Sequence, residues 1–157
     1  MSAAVNPTTG IRLMQPSDLK AVARIEHTAY EYPWSIGIFR DCVLAGYYSV
    51  VLEVSGGVAA YGIMSIAAAE AHVLNICVHP SVQRLGHGRS LLNALLQRAQ
   101  ECDVTKVFLE VRPSNKPALN LYYSAGFVQV GIRPAYYQAP YGREDAVVLS
   151  LTLRSSD

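Results

Sequence analysis

The hydrophobic and polar positions along the chain follow two different periods, which separate predicted helices from predicted strands. Apolar residues recur three or four positions apart in a segment that opens at Pro16 and in a longer one that begins at Gly88. The apolar face of the longer segment is formed by Leu91, Leu92, Leu95, Leu96 and Ala99. Both segments are therefore predicted to be amphipathic helices.

Two shorter helices are predicted from the residues at their ends. Ser35 is a favourable N-cap for the first, and Gly46 is a favourable residue at which to end it. Ser114 is a candidate N-cap for the second, and Gly126 marks its end.

Seven apolar runs predict strands. In chain order they cover residues 10–15, 47–54, 58–67, 71–78, 106–112, 127–133 and 146–153. A Ser55-Gly56-Gly57 turn predicts a hairpin between the second and third runs. The resulting order, β-α-α-β-β-β-α-β-α-β-β, predicts a mixed α/β fold with a central sheet of about seven strands. The helical crossovers in its middle require parallel neighbouring strands.

Composition narrows the class of protein. The chain has 157 residues, of which 51% are hydrophobic and 16% are charged, so we expect one globular domain over residues 1–157. The formal net charge of +1 gives no sign of direct nucleic-acid or membrane binding. No apolar run approaches the roughly 20 residues of a membrane span, and the first ten residues lack the order of a secretory signal.

The spacing of the three cysteines does not match that of a disulfide framework or a structural zinc site. An odd number without CxxC spacing argues against structural disulfides and favours a reducing compartment, so a cytoplasmic protein is expected. Cys77 and His79 are a possible metal-ligating pair, but two further ligands are not evident, and no metal site is predicted.

The segment before the third helix contains a candidate anion-binding loop. Gly86 and Gly88 allow the backbone to bend close to a ligand, and the following helix offers free N–H groups and the positive end of its dipole. Leu91 stands where a dinucleotide fingerprint needs its third glycine, and no glycine is followed by lysine as a Walker loop requires. A phosphate site and a plain helix-capping turn both remain open from these residues.

Two longer strings carry a family resemblance. The string VHPSVQRLGHGRSLL resembles the acetyl-coenzyme A (acetyl-CoA) loop of the GNAT acetyltransferases, with the pattern [Q/R]xxGx[G/A] on Gln83, Gly86 and Gly88. LEVRPSNKPALNLYYSAGF resembles a second GNAT segment. The resemblance implies the GNAT fold, with helices on both faces of the sheet, and acetyl-CoA as cosubstrate. It implies these cofactor-binding residues: Ile76, Cys77, Val78, Gln83, Arg84, Leu85, Gly86, His87, Gly88, Arg89, Ser90 and Asn115.

Three further strings resemble the bacterial ribosomal-protein alanine N-acetyltransferases (RimI type): YPWS at 32–35, LEVRPSN at 109–115 and GREDAVVL at 142–149. This likeness implies acetylation of the N-terminal alanine of a small-subunit ribosomal protein.

The sequence departs from the pattern at several positions. On the cofactor side these are His79, Val82 and His87. Beside the substrate, Pro134 lies in an expected loop, Arg133 to Tyr141. Another protein N-terminus, a lysine side chain and a small-molecule amine remain alternative acceptors, and a non-catalytic coenzyme A-binding module is an alternative of another class.

Glu110 and Tyr122 are the candidate catalytic residues. The apolar neighbours of Glu110 are expected to raise the pKa of its carboxyl, which would make it a better base. The resemblance assigns it the general-base role, and the alternative is a surface ion pair with Arg112 or Lys106. The resemblance also assigns Tyr122 as general acid in a direct transfer. The alternative is a half-buried helix aromatic, and Tyr123, turned about 100° away, is its natural comparison.

Other roles are predicted around these two residues. The resemblance implies that the N–H of Val78 binds the thioester carbonyl and that Asn115 binds the pantetheine arm, although Asn115 is equally suited to cap the helix. Cys77 is expected to fill the core rather than carry an acyl group. The residues nominated for peptide binding are Glu26, Trp34, Tyr136, Tyr137, Glu144 and Asp145. A monomer or weak dimer is expected.

Overall fold

The computed structural model describes residues 9–153 and contains there seven strands and four α-helices. The strands are β1 (Thr9–Leu13), β2 (Tyr48–Val54), β3 (Gly57–Ala67), β4 (Glu70–Val78), β5 (Lys106–Val111), β6 (Val128–Ala139) and β7 (Gly142–Thr152). The helices are α1 (Leu19–Ala29), α2 (Ile36–Leu44), α3 (His87–Glu101) and α4 (Lys116–Ser124). The predicted order of elements is confirmed.

The strands form one mixed sheet in the order β1-β2-β3-β4-β5-β7-β6. β1 pairs antiparallel with β2, and β7 pairs antiparallel with both β5 and β6. β4 and β5 are parallel, with Glu70 opposite Lys106 and Val73 opposite Leu109. The connection between these parallel strands contains α3, as the predicted crossover requires. The predicted mixed α/β fold is confirmed.

The chain divides into two compact units, each formed from two separate stretches of sequence. Among the described residues, the first comprises 9–63 and 75–95 and the second comprises 64–74 and 96–153, so β3 and β4 contribute residues to both. The predicted single domain of residues 1–157 extends beyond the described residues at both ends and stays a prediction.

The first unit buries the helix face that the sequence predicts. Leu19, Val22 and Ile25 of α1 are buried, and Ser35 caps α2 by accepting a hydrogen bond from the Ile38 N–H. Leu95 of α3 is fully buried beside β3, where a side chain at Gly62 would meet its Cδ1 at 3.3 Å. The absence of a side chain at Gly62 therefore allows this close packing of α3 on the strand.

The second unit is built around alternating apolar positions of β5. Val107, Leu109 and Val111 are buried, as expected for one face of a strand. The predicted N-cap of α4 at Ser114 is wrong: the cap is Asn115, whose side-chain oxygen accepts a hydrogen bond from the Ala118 N–H at 3.3 Å. Ser114 is instead hydrogen-bonded to Glu144, which removes its hydroxyl from the helix end.

The expected loop at Arg133 to Tyr141 is also wrong, because β6 continues through Pro134 to Ala139 and β7 begins at Gly142. β6 is the last strand of the sheet, and an edge strand tolerates a proline because one side needs no ladder donor. The ladder with β7 shifts register between Arg133 and Tyr137, where Ala135 has a φ of +52°. The proline therefore marks a bulge within a strand rather than the start of a loop.

No helix within residues 9–153 combines the length and apolar character needed to span a membrane.

We expect Leu95→Ala to lower the free energy of unfolding by about 2–5 kcal/mol, because it leaves a cavity at a fully buried site. Leu44→Ala removes the same atoms from a side chain that is 78% exposed, and should change the free energy by less than about 0.5 kcal/mol. Urea denaturation of both variants measures the difference. Equal losses would contradict the packing described for α3.

Candidate active site

Glu110 lies in the second unit, near the carboxyl end of β5. Its side chain is only 8% exposed, so the alternative of a surface-facing glutamate is wrong. The His72 Nε2 of β4 contacts one carboxylate oxygen, Oε2, and the Arg133 Nε of β6 lies 3.3 Å from the other, Oε1. These two partners come from β4 and β6, whereas the alternative interpretation of the sequence had named Arg112 or Lys106.

These partners reverse the expected direction of the pKa shift of Glu110. Burial raises the pKa of the carboxyl, but the hydrogen bond and charge of His72 and the charge of Arg133 lower it further, so the net pKa lies below its ordinary value. The predicted upward shift is wrong. The apolar sequence neighbours correctly indicated an enclosed side chain, but they did not indicate the His72 and Arg133 partners that lower the pKa, and Glu110 remains a carboxylate at neutral pH.

A second ionic cluster joins the end of β5 to the β6–β7 hairpin. Arg112 Nη1 lies 3.2 Å from Glu144 Oε1 and donates to the Gln138 carbonyl at 2.7 Å. The N–H and the hydroxyl of Ser114 both donate to Glu144 at 3.0 Å. Burial raises the pKa of Glu144, but the bonds from Ser114 and Arg112 lower it further, so its net pKa is lowered. Both Glu144 oxygens are thus engaged within the chain, which its nomination for peptide binding did not anticipate.

The hairpin also carries an aromatic pair flanked by arginines. The Tyr136 and Tyr137 rings meet edge to face with centroids 4.9 Å apart. The Arg112 guanidinium lies 4.3 Å from the Tyr137 centroid, and that of Arg133 lies 5.7 Å from the Tyr136 centroid. Burial, followed by the neighbouring Tyr136 and Glu110, raises the pKa of Tyr137, so its phenol is neutral at physiological pH. Asp145, also nominated for peptide binding, accepts a hydrogen bond from the Ala135 N–H at 2.9 Å.

Tyr122 and Tyr123 occupy opposite environments on α4. Tyr122 is buried and packs edge to face against Phe127 with a centroid distance of 5.7 Å, whereas Tyr123 is 45% exposed. The predicted divergence of the two side chains is confirmed, and the role of Tyr122 as general acid stays a prediction. Asn115 accepts the hydrogen bond that caps this helix, and its binding of pantetheine likewise stays a prediction.

The candidate cofactor loop lies in the first unit, between β4 and α3. His79 Nδ1 accepts a hydrogen bond from the Ser81 N–H, and the Gln83 side chain donates to the Val78 carbonyl at 3.2 Å, which folds the loop back onto the strand end. Arg84 and Gly86 have φ values of +67° and +86°, in the left-handed region. Gly86 then accepts from the N–H of Ser90 at 3.0 Å as α3 begins.

This conformation fits the predicted anion-binding role. The left-handed residues Arg84 and Gly86 bring the chain directly to the start of the 15-residue helix α3, whose free N–H groups and positive dipole end favour an anion. The predicted cofactor residues of this unit are contiguous with the loop or with the end of β4. They are Ile76, Cys77, Val78, Gln83, Arg84, Leu85, Gly86, His87, Gly88, Arg89 and Ser90.

Cys77 is buried near the end of β4. Burial raises the pKa of its thiol to about 11, and the nearby Tyr61 and Tyr30 hydroxyls oppose this only weakly. A protonated, enclosed thiol is a poor nucleophile. The expectation that Cys77 fills the core is consistent with this environment.

Glu26 of α1 is a second buried carboxylate, 2% exposed. It accepts hydrogen bonds from the Tyr61 hydroxyl, from the Asn75 side chain at 2.9 Å and from the Trp34 N–H at 2.8 Å. Trp34 itself packs on Phe39 with ring centroids 5.3 Å apart. These contacts tie the segment before α2 to the strands of the first unit and engage both side-chain oxygens of Glu26. Its nomination for peptide binding stays a prediction.

Sequence reasoning missed His72, Arg133, Tyr61 and Asn75 as members of these clusters. Each lies far along the chain from the carboxylate it contacts: His72 is 38 positions from Glu110, and Asn75 is 49 from Glu26. Polar residues inside otherwise apolar strand runs were the one available signal for His72, Tyr61 and Asn75.

The model of the acetyltransferase (GNAT) family matches residues 19–127, and the chain belongs to this family of acetyltransferases. The [ribosomal protein bS18]-alanine N-acetyltransferase of Escherichia coli K12 is 38% identical over 143 residues, which cover 91% of this chain and 97% of that protein. A crystal structure of the ribosomal-protein-S18-alanine N-acetyltransferase from Escherichia coli superposes with a TM-score of 0.89 at 36% identity, covering 96% and 97% of the two chains. Ard1 from Thermoplasma volcanium follows with a TM-score of 0.84 at 26% identity, over 94% and 99%.

We expect Tyr61→Phe to lower the free energy of unfolding by roughly 1–3 kcal/mol, because it removes one of the donors to a buried carboxylate. The matched change Tyr141→Phe, at a fully exposed tyrosine, should leave stability within about 0.5 kcal/mol of the parent. Thermal and urea unfolding provide the readout. If the two variants lose the same free energy of unfolding, the hydrogen bond from Tyr61 to Glu26 makes no contribution of its own to stability.

Proposed function

We propose that this protein transfers acetyl from acetyl-CoA to the α-amine of an N-terminal alanine on a small-subunit ribosomal protein of the bS18 type. The observation that carries the proposal is the likeness to bS18-alanine N-acetyltransferase over almost the full length of both chains. The likeness includes the segments that contain Glu110 and Tyr122. An acceptor of this kind places the reaction in the cytoplasm, and the net charge of +1 favours contact with the protein tail rather than with ribosomal RNA.

Acetyl-CoA is the cosubstrate of this family, and the loop before α3 suits its pyrophosphate. The left-handed turn at Arg84 and Gly86 and the first N–H groups of α3 supply donors for an anion. The Val78 N–H at the end of β4 is the proposed donor to the thioester carbonyl, and the Asn115 side chain is the proposed partner of the pantetheine arm. When bound, acetyl-CoA supplies the activated acetyl group.

Glu110 is the proposed general base. An N-terminal α-amine has a pKa of about 7.7–8.0, so a carboxylate can take its proton directly or through water as the nitrogen bonds to the carbonyl carbon. The ionised state of Glu110 supports this role, since only the carboxylate accepts a proton.

Tyr122 is the proposed general acid. As the carbon–sulfur bond breaks, its phenol donates a proton to the departing thiolate, so that the thiol leaves neutral. Glu110 then loses its proton to solvent and Tyr122 regains one, which restores both residues. The monomer or weak dimer expected from the sequence is retained in this proposal.

Intact-mass analysis with N-terminal fragmentation tests the acceptor. The panel contains peptides that begin with Ala, Ser, Met or Gly and an N-blocked peptide with an internal lysine. We expect one acetyl group on the α-amine of the Ala peptide. Glu110→Gln should reduce the rate by roughly 10²- to 10⁴-fold, and Glu101→Gln, at an exposed position of α3, should not change it. Acetylation confined to the lysine peptide or to small amines would overturn the assigned acceptor.

The general-acid role is tested by paired tyrosine variants. Tyr122→Phe should lower kcat by at least about tenfold with little change in the binding of acetyl-CoA, because it removes only the transferable proton. Tyr123→Phe, one residue further along α4, should retain the parent rate. Steady-state kinetics with a thiol-detecting assay distinguish the two, and equal rates for the variants would refute the assignment.

A further inference from the structure

We propose that His72 is a positioning residue that holds Glu110 in the orientation and ionised form needed for proton abstraction. The inference rests on the proposed role of Glu110 as base. His72 belongs to none of the strings that resemble an acetyltransferase motif, and its role follows from the pairing of β4 with β5.

The parallel register places the two side chains together. His72 lies opposite Phe108 on β5, two residues before Glu110. Since alternate residues of a strand project to the same face, Glu110 shares the face of Phe108 and of its neighbour His72. The Nε2 of His72 contacts Oε2 of Glu110, and because a carboxylate only accepts hydrogen bonds, Nε2 carries the donated proton.

The exposure of the two groups differs in a way that suits this role. The Glu110 side chain is 8% exposed, whereas that of His72 is 36% exposed. His72 makes this contact through Nε2, and its side chain, 36% exposed, remains accessible to solvent. The contact occupies Oε2 of Glu110, and the other carboxylate oxygen, Oε1, keeps a lone pair for an incoming proton.

The remaining groups around Glu110 do not duplicate this contact. From β6, Arg133 approaches Oε1 at 3.3 Å with a side chain that is 57% exposed, and Tyr137 is a neutral phenol that interacts with Glu110 electrostatically. From β7, the residue in register with Glu110 is the apolar Val148. His72 contributes the foremost of the interactions that oppose the effect of burial on the pKa of Glu110. Removing it leaves burial opposed mainly by one exposed arginine.

The variants are His72→Leu, which removes the donor, and His72→Gln, which keeps a neutral N–H donor near the same place. His27→Leu, at an exposed histidine of α1, is the matched control. The first readout is the dependence of kcat on pH between about 5 and 9 with the Ala peptide. The second is the ¹³C titration of the Glu110 carboxyl in labelled protein, assigned by the signal lost in Glu110→Gln, which requires no turnover.

Loss of His72 should raise the pKa of Glu110, so protonation begins at higher pH and the acid limb of kcat moves upward. We also expect His72→Leu to lower kcat near pH 7 by about tenfold, because the donor that orients the carboxylate is lost, with an unchanged KM for acetyl-CoA. The carboxyl titration should shift to higher pH. His72→Gln should fall between His72→Leu and the parent, and His27→Leu should match the parent.

Two different results would overturn the inference in distinguishable ways. If both His72 variants keep the parent titration midpoint and acid limb while Glu110→Gln remains inactive, His72 has no positioning role and the proposed base stands. If Glu110→Gln turns over at the parent rate, the base assignment itself fails, and with it the role of His72. Should His72→Leu fail to fold, the same comparison is made with His72→Gln.

Discussion

The parallel pairing of β4 with β5 is the constraint on which the rest of the candidate site depends. Antiparallel neighbours can be joined by a two-residue turn, as β2 and β3 are at Ser55 and Gly56, but parallel neighbours need a long crossover. Here the crossover contains α3, and the turn that starts this helix is the left-handed loop suited to an anion. The same pairing brings His72 beside Glu110. The parallel pairing thus accounts both for the crossover that contains the loop and for the position of His72 beside Glu110.

Glu26 and Glu110 are both enclosed glutamate side chains, but the groups that hydrogen-bond or pair with them differ. Glu26 receives neutral donors, from Tyr61, Asn75 and the Trp34 backbone, which stabilise it in place. Glu110 is approached by His72 and Arg133, groups that carry or can carry positive charge. A carboxylate enclosed by fixed neutral dipoles is suited to organising the chain around it. A carboxylate whose partners are partly exposed lies close to solvent, as its proposed role as a base requires, and this difference distinguishes the surroundings of Glu110 from those of Glu26.

The β6–β7 hairpin illustrates how an edge position relaxes the usual limits on a sequence. Pro134 and the left-handed Ala135 are tolerated because β6 is hydrogen-bonded to one neighbour only, and the bulge there is bound by Asp145. Arg112, Ser114 and Glu144 then connect this hairpin to the residues that follow β5. Tyr136 and Tyr137 pack edge to face against each other, and the Arg112 guanidinium lies over the Tyr137 ring.

Local sequence features were enough to predict the order of the elements, the apolar faces of α1 and α3, the capping of α2 and the contrast between Tyr122 and Tyr123. These features depend on local periodicity and on residues with strong conformational preferences, which act over a few positions. The three-dimensional structure was needed to find the partners of Glu110, the direction of its pKa shift, the cluster around Glu26 and the continuation of β6 through Pro134. Those depend on strand register and sheet position, which bring together residues 38 and 49 positions apart and which no local pattern encodes.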